Sequence, residues 1–282
     1  MNYSQFEVPI NYDELGLKHN DVKATVTTYI LDYYPQVQPR KNRPVVIVCP
    51  GGGYGYHSPR EAEAIAIKMN SLGFHAVVLR YSVAPNEFPC ALYEAAWTIN
   101  YVREHAKDWD ADPDRVIIGG FSAGGHVAGC LATMYEDEIM KNYLCNVLKV
   151  EPKAVRPDGL LMAYPVVTSG EFAHRGSFEK LLGEQYDSLL EYVSLENRVT
   201  KDTPQTFIWH TFADGSVPTE NSLLFADSLR KNNVKFDLHI FANGSHGLAL
   251  ASKETDTLDG NKYQPECECW TEMFKNWVDI NI

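Results

Sequence analysis

Positive charge is scarce in this chain. Its 282 residues carry 25 Lys and Arg against 37 Asp and Glu, for a formal net charge of −12. No basic cluster stands out, which argues against a nucleic-acid or anionic-membrane partner and leaves a neutral small molecule open. No apolar run approaches the length of a membrane span, so no membrane partner is expected. Residues 1–7 (Met-Asn-Tyr-Ser-Gln-Phe-Glu) have neither a cationic start nor an apolar core, and they do not read as a signal peptide. Cysteine is sparse, with six residues at 49, 90, 130, 145, 267 and 269. Only Cys267 and Cys269 lie close together, and no second pair or neighbouring histidine completes a zinc site, so no metal is expected. Reduced thiols in a cytoplasmic protein are the expectation. There are no internal repeats, low-complexity tracts or linkers. Nothing sets the oligomeric state, and a homo-oligomer stays open.

What is present is a regular alternation of strand-like and helix-like segments beyond residue 24, the signature of a parallel sheet covered by helices. Strands are expected at 24–31, 45–49, 75–80, 114–119, 159–164, 206–210 and 236–241. The run Val45-Val46-Ile47-Val48-Cys49 is apolar throughout, as suits a strand buried on both faces. Helices are expected at 60–72, 89–107, 125–135, 219–231 and 268–278, with Gly73 a plausible stop for the first. Residues 166–203 are irregular, polar and partly helical, with helix at 178–182 and 188–193. This stretch reads as a small lid inserted over the sheet of a single domain, 1–282, rather than a second domain.

Gly120-Phe121-Ser122-Ala123-Gly124 lies between the apolar run Val116-Ile117-Ile118 and a helical segment. A G-x-S-x-G between strand and helix is the nucleophile elbow of a serine hydrolase, with small residues demanded by the tightness of the turn. An acyl-transfer serine needs a base for its proton and a carboxylate to hold that base in the right tautomer. Among nine histidines, His246 in Gly244-Ser245-His246-Gly247 follows the last expected strand on a flexible loop. Asp214, just after the strand at 206–210, gives the order Ser122, Asp214, His246 expected of this fold. Asp202 precedes that strand and Asp187 sits in the insertion. His126, four residues after the serine, lacks the approach angle of a base and is expected to brace the elbow or the glycine loop. His210 reads as a satisfied core or rim histidine, and His57 is a further candidate to line the pocket.

Pro50-Gly51-Gly52-Gly53 follows the first buried strand. It matches neither G-x-x-x-x-G-K-[ST] nor G-x-G-x-x-G, so a phosphate cradle and a nucleotide cofactor are not expected. The amides of Gly52 and Gly53, joined by that of Ala123, fit an oxyanion hole instead. Tyr54 and Tyr56 are expected to shape the substrate pocket, the plain alternative for each being a packed loop aromatic.

The runs Cys49-Pro50-Gly51-Gly52-Gly53-Tyr54, Leu79-Arg80-Tyr81-Ser82-Val83-Ala84-Pro85 and Gly120 to His126 together resemble the α/β-hydrolase esterases. More narrowly, they resemble the acetyl-esterase and carbohydrate-esterase (acetylxylan-esterase-like) branch related to hormone-sensitive-lipase-like enzymes. The resemblance covers roughly residues 40 to 280. One departure is Pro50, where lipase-like relatives usually carry histidine, although the oxyanion amides do not depend on it. The resemblance implies a three-layer α/β/α sandwich with a mostly parallel sheet of about eight strands. It also implies cofactor-free hydrolysis of short-acyl esters, including deacetylation of sugars or xylan-derived oligosaccharides. The residues themselves favour a short acyl group, because no long apolar lid helix is visible. A peptidase, a lipase and a non-catalytic ligand-binding protein of the same fold are the alternatives.

Overall fold

Why the strand at 45–49 needs no polar residue is plain from its surroundings. In the computed structural model, Val45, Ile47 and Cys49 point into one apolar cluster and Val46 and Val48 into another. The same division continues in Val77 and Leu79 against Ala76 and Val78, and in Val116 and Ile118 against Ile117. Successive side chains leave opposite faces of a strand, so a strand covered on both sides reads as unbroken apolar sequence. The structure describes residues 1–34, 36 and 42–282. The start of the resemblance near residue 40 falls outside the described residues.

Eight strands form the sheet: β1 Asn2–Glu7, β2 Thr25–Ile30, β3 Arg43–Cys49, β4 His75–Arg80, β5 Ala111–Phe121, β6 Gly159–Ala163, β7 Gln205–Thr211 and β8 Phe236–Phe241. Their order is β1-β2-β4-β3-β5-β6-β7-β8. The β1/β2 and β2/β4 pairs are antiparallel, and every pair from β4/β3 through β7/β8 is parallel. The helices are α1 Glu63–Ser71, α2 Cys90–His105, α3 Ala123–Met134, α4 Glu138–Asn142, α5 Arg175–Leu182, α6 Tyr186–Leu189, α7 Glu220–Lys231 and α8 Trp270–Asn281. Apolar residues of α2, α3 and α7 fill one cluster, and those of α1 and α8 fill the other. The result is a three-layer α/β/α sandwich, as the alternation implied.

Chain order leaves β3 on both sides of a reversal: the path goes to β4 on one side, then returns to β5 on the other. Open α/β sheets bind ligands in the crevice at such a switch, outside the carboxyl ends of the strands. The loops after β3, β5, β7 and β8 carry Gly51 to Gly53, Ser122, Asp214 and His246 respectively. The segment 166–203 is less detached than its irregular sequence suggests. Val166, Val167, Phe178, Leu181, Leu182, Val193, Leu195 and Val199 are all buried in the larger cluster. Among the described residues, no helix is long and apolar enough to cross a membrane.

The smaller cluster has a tryptophan at its centre. Trp270 is fully buried, stacks on Trp209 at 5.3 Å and donates its indole N–H to Ala249 O at 3.0 Å. Trp270→Ala is expected to cost about 3–5 kcal/mol through lost contacts and a cavity. Thermal unfolding of the variant measures it, and an unchanged melting temperature contradicts this packing account.

Candidate active site

The turn from β5 into α3 leaves no room for side chains. A Cβ on Gly120 would stand 2.0 Å from Gly124 O, and one on Gly124 would stand 2.0 Å from Cys49 O. Between them Ser122 adopts φ 55° and ψ −121°, a left-handed conformation that costs energy for a residue with a Cβ. The fold holds it there through Ser122 N–H donating to Ala163 O at 3.0 Å and Val166 N–H donating to Ser122 O at 3.0 Å. That places the hydroxyl at the floor of the crevice.

His246 and Asp214 arrive from the loops after β8 and β7. Ser122 Oγ lies 2.7 Å from His246 Nε2, and His246 Nδ1 lies 2.7 Å from Asp214 Oδ2. Because Asp214 accepts at Nδ1, the proton of a neutral imidazole sits there, and Nε2 is left to accept from the serine hydroxyl. Asp214 Oδ1 accepts from Ser216 N–H and Val217 N–H, both at 2.9 Å. Burial pushes this carboxyl up, but the hydrogen bonds from His210 and His246 outweigh burial and hold it well below the usual carboxylate range. Asp187 lies in α6 and Asp202 bonds to Lys201; Asp214 is the carboxylate that reaches His246.

His210 is more than a satisfied core histidine. It is fully buried, and its Nε2 faces Asp214 Oδ2 at 3.2 Å and Val217 O at 3.0 Å. Both partners are acceptors, so Nε2–H donates, while Nδ1 at 2.8 Å accepts from Ser222 Oγ–H. Two imidazoles therefore share one carboxylate. The only sequence signal was position: His210 closes β7 four residues before Asp214.

The glycine loop is fastened from below. Gly51 N–H donates to Glu61 Oε2 at 2.9 Å, and Tyr164 OH donates to Glu61 Oε1 at 2.7 Å. Tyr164 in turn accepts from Ala249 N–H at 2.9 Å, which ties the same network to the stretch after His246. Neither Glu61 nor Tyr164 carried a motif that sequence reading could use. Gly52, at φ 136°, would press a Cβ to 1.9 Å from Tyr56 O. Among the described residues, the amides of Gly52, Gly53 and Ala123 have no acceptor.

The expectation for the tyrosines divides. Tyr56 is 62% exposed and lines the crevice, whereas Tyr54 is 2% exposed and lies behind the glycine loop. Tyr54 OH donates to His126 Nδ1 at 2.8 Å, and His126 Nε2–H donates to Val193 O at 2.8 Å. Burial pushes the His126 imidazole down to about 4, so it is a neutral strut joining α3, the glycine loop and the 166–203 segment. His57 packs edge-on against Tyr81 at 4.9 Å and is not among the residues lining the crevice. The crevice encloses about 790 Å³ around Ser122, Gly52, Gly53 and His246, with His174 and Lys180 supplied by the 166–203 segment.

The chain is similar to several known proteins over most of its length. A family model described as BD-FAE matches residues 31–229. The chain is 37% identical over 219 residues to endo-1,4-beta-xylanase B of Butyrivibrio fibrisolvens, covering 75% of this chain and 33% of that one. It is 27% identical over 214 residues to an acetylxylan esterase of Xylanibacter ruminicola, covering 73% of this chain and 41% of that one. The chain thus spans less than half the length of either relative. Among solved structures, an acetyl ester-xyloside bifunctional hydrolase from Caldicellulosiruptor lactoaceticus is 37% identical, with a TM-score of 0.80 over 98% of this chain and 95% of that one. The carboxylesterase Cest-2923 from Lactobacillus plantarum is 28% identical, with a TM-score of 0.82 over 99% of this chain and 97% of that one. The sandwich is therefore an α/β-hydrolase fold.

The depressed carboxyl of Asp214 carries a pH dependence. Its folded value lies below the unfolded value of about 3.9, so its contribution to stability is present above that pH and is lost as pH falls through the folded value. The melting-temperature gap between wild type and Asp214→Asn is expected to shrink as pH drops from about 6 to about 3. A gap that stays constant over that range contradicts the assignment.

Proposed function

Since the chain belongs to the BD-FAE family, we propose that it is a serine carboxylic-ester hydrolase that removes short acyl groups, acetyl above all, from sugars or xylan-derived oligosaccharides. The observation that carries the reading is the unbroken chain of 2.7 Å contacts from Ser122 through His246 to Asp214 at the mouth of the sheet. Ser122 Oγ attacks the ester carbonyl while His246 Nε2 takes its proton. The amides of Gly52, Gly53 and Ala123 receive the developing oxyanion, each contributing on the order of 3 kcal/mol to the transition state. His246 then gives its proton to the leaving alcohol, and an acyl-Ser122 ester remains. Water enters, His246 removes its proton, and a second tetrahedral intermediate collapses to acid and free serine.

Asp214 keeps the tautomer of His246 and stabilises the imidazolium formed at each step. Acetylated saccharides are favoured because the named relatives include an acetylxylan esterase and an acetyl ester-xyloside hydrolase. We read 1–282 as one catalytic domain, with 166–203 as a small insertion walling the crevice, no cofactor and a cytoplasmic location.

Ser122→Ala is expected to lower kcat on p-nitrophenyl acetate by about 10,000-fold or more, and Asp214→Asn by on the order of 10,000-fold. Near wild-type turnover in Ser122→Ala removes the nucleophile assignment. In a series of p-nitrophenyl esters from acetate to decanoate, kcat/KM is expected to fall with chain length. A rise toward the longest chains points to a lipase instead.

A further inference from the structure

The crevice is charged against the sign of the protein. The chain holds 37 acidic residues to 25 basic ones, yet the charged side chains on the crevice wall are Arg60, Lys180, Lys262 and a single carboxylate, Glu61. Glu61 is 2% exposed, and its two oxygens are already taken by Gly51 N–H and Tyr164 OH. The three cations come from separate parts of the chain: the turn before α1, helix α5 and the loop after β8. The hydrogen-bond partners of Arg60 and Lys262 are all uncharged. Arg60 donates to Gly247 O at 2.8 Å and Thr255 O at 3.2 Å, and Lys262 Nζ donates to Ser245 Oγ at 2.9 Å and His246 O at 2.8 Å. Lys180 Nζ lies against Gly55, where a Cβ would stand 2.7 Å away. Among the described residues, none of the three has a carboxylate in ion-pair contact.

Asp256 accepts from the backbone N–H of Thr257 and of Lys262 and makes no ion pair with the three cations among the described residues. Burial, and then the nearby Arg60 charge, press the Lys262 ammonium below its ordinary value, against the opposing pull of Asp259, Asp214 and Glu61. Like charges gathered in a crevice are a cost unless a bound anion relieves it. Lys262 Nζ is bonded to the backbone O of His246, on the loop whose imidazole Nε2 protonates the leaving alcohol, which favours the alcohol side for that anion.

We propose that the ester taken by this crevice carries an anionic group on its alcohol part, the carboxylate of a uronic-acid-bearing acetylated saccharide, with Arg60, Lys180 and Lys262 as its counter-charges. This rests on the esterase reading above. A sugar phosphate presents the same oxyanion chemistry from a different source.

The test compares kcat/KM for acetate release from matched acetylated xylo-oligosaccharides with and without a uronic acid, with an acetylated sugar phosphate as a third arm. The uronate substrate is expected to exceed the neutral one by roughly tenfold at low salt, and the advantage is expected to collapse near 1 M NaCl, where screening is strong. Lys180→Gln, at an exposed position, is expected to lower the anionic-to-neutral ratio by roughly two- to fivefold, as is typical of an exposed charge pair. Lys180→Arg is expected to restore it. Equal rates on uronate, phosphate and neutral substrates, independent of salt, overturn the proposal while leaving the esterase reading standing. A preference for the phosphate alone overturns the carboxylate. No hydrolysis of any acetyl ester, p-nitrophenyl acetate included, overturns both.

Discussion

The close approach of β3 and the turn after β5 governs this molecule. Gly124 brings α3 against Cys49 O, and Gly51 lies where a Cβ would meet Phe121 O at 2.7 Å and Ser122 Cβ at 2.9 Å. The glycines of both loops therefore serve nearness, letting two backbones meet without side chains between them. With that contact made, the amides of the glycine loop lie beside the serine. The left-handed conformation of Ser122 is tolerated because hydrogen bonds to β6 and the chain beyond it hold the turn on both sides.

Two buried carboxylates then fix the remaining parts. Asp214 collects donors from Ser216, Val217, His210 and His246, and Glu61 collects them from Gly51 and Tyr164. A buried carboxylate is costly unless its oxygens are satisfied, and satisfied ones fix the geometry around them. Asp214 orients the imidazole; Glu61 joins the glycine loop, through Tyr164, to the stretch after His246. Tyr54 and His126 link that loop to the 166–203 segment, so the wall of the crevice is coupled to its floor.

Elements that obey local rules were legible in the sequence. The strands at 75–80 and 236–241 match β4 and β8 to the residue, because each lies between clear turn signals. β1 escaped: it is an edge strand of largely exposed residues, so burial imposes no apolar pattern on it. The helix expected at 60–72 breaks into a 3-10 turn, Pro59–Glu61, followed by α1, since Arg60 and Glu61 are drawn into the site. The expected helix at 178–182 is part of the longer α5, whose first turn carries no apolar mark. Ser122, Asp214 and His246 were readable from a motif and an order along the chain. Glu61 and Tyr164 act through a contact 103 residues apart, which no local pattern encodes, and His210 was marked only by its place four residues before Asp214. Tyr54 and Tyr56 lie two residues apart on one loop with Gly53 and Tyr54 both left-handed, yet Tyr54 is buried and Tyr56 exposed.

The central claim is that Ser122 carries the acyl group between the two halves of the reaction. Intact-protein and peptide mass spectrometry after rapid acid quench of the reaction with p-nitrophenyl acetate tests it most directly. The account predicts one added acetyl group per chain, located on the peptide containing Ser122 and absent from Ser122→Ala. Acetyl transfer to another residue, or an unlabelled enzyme that still turns over with a burst of p-nitrophenol, would contradict it.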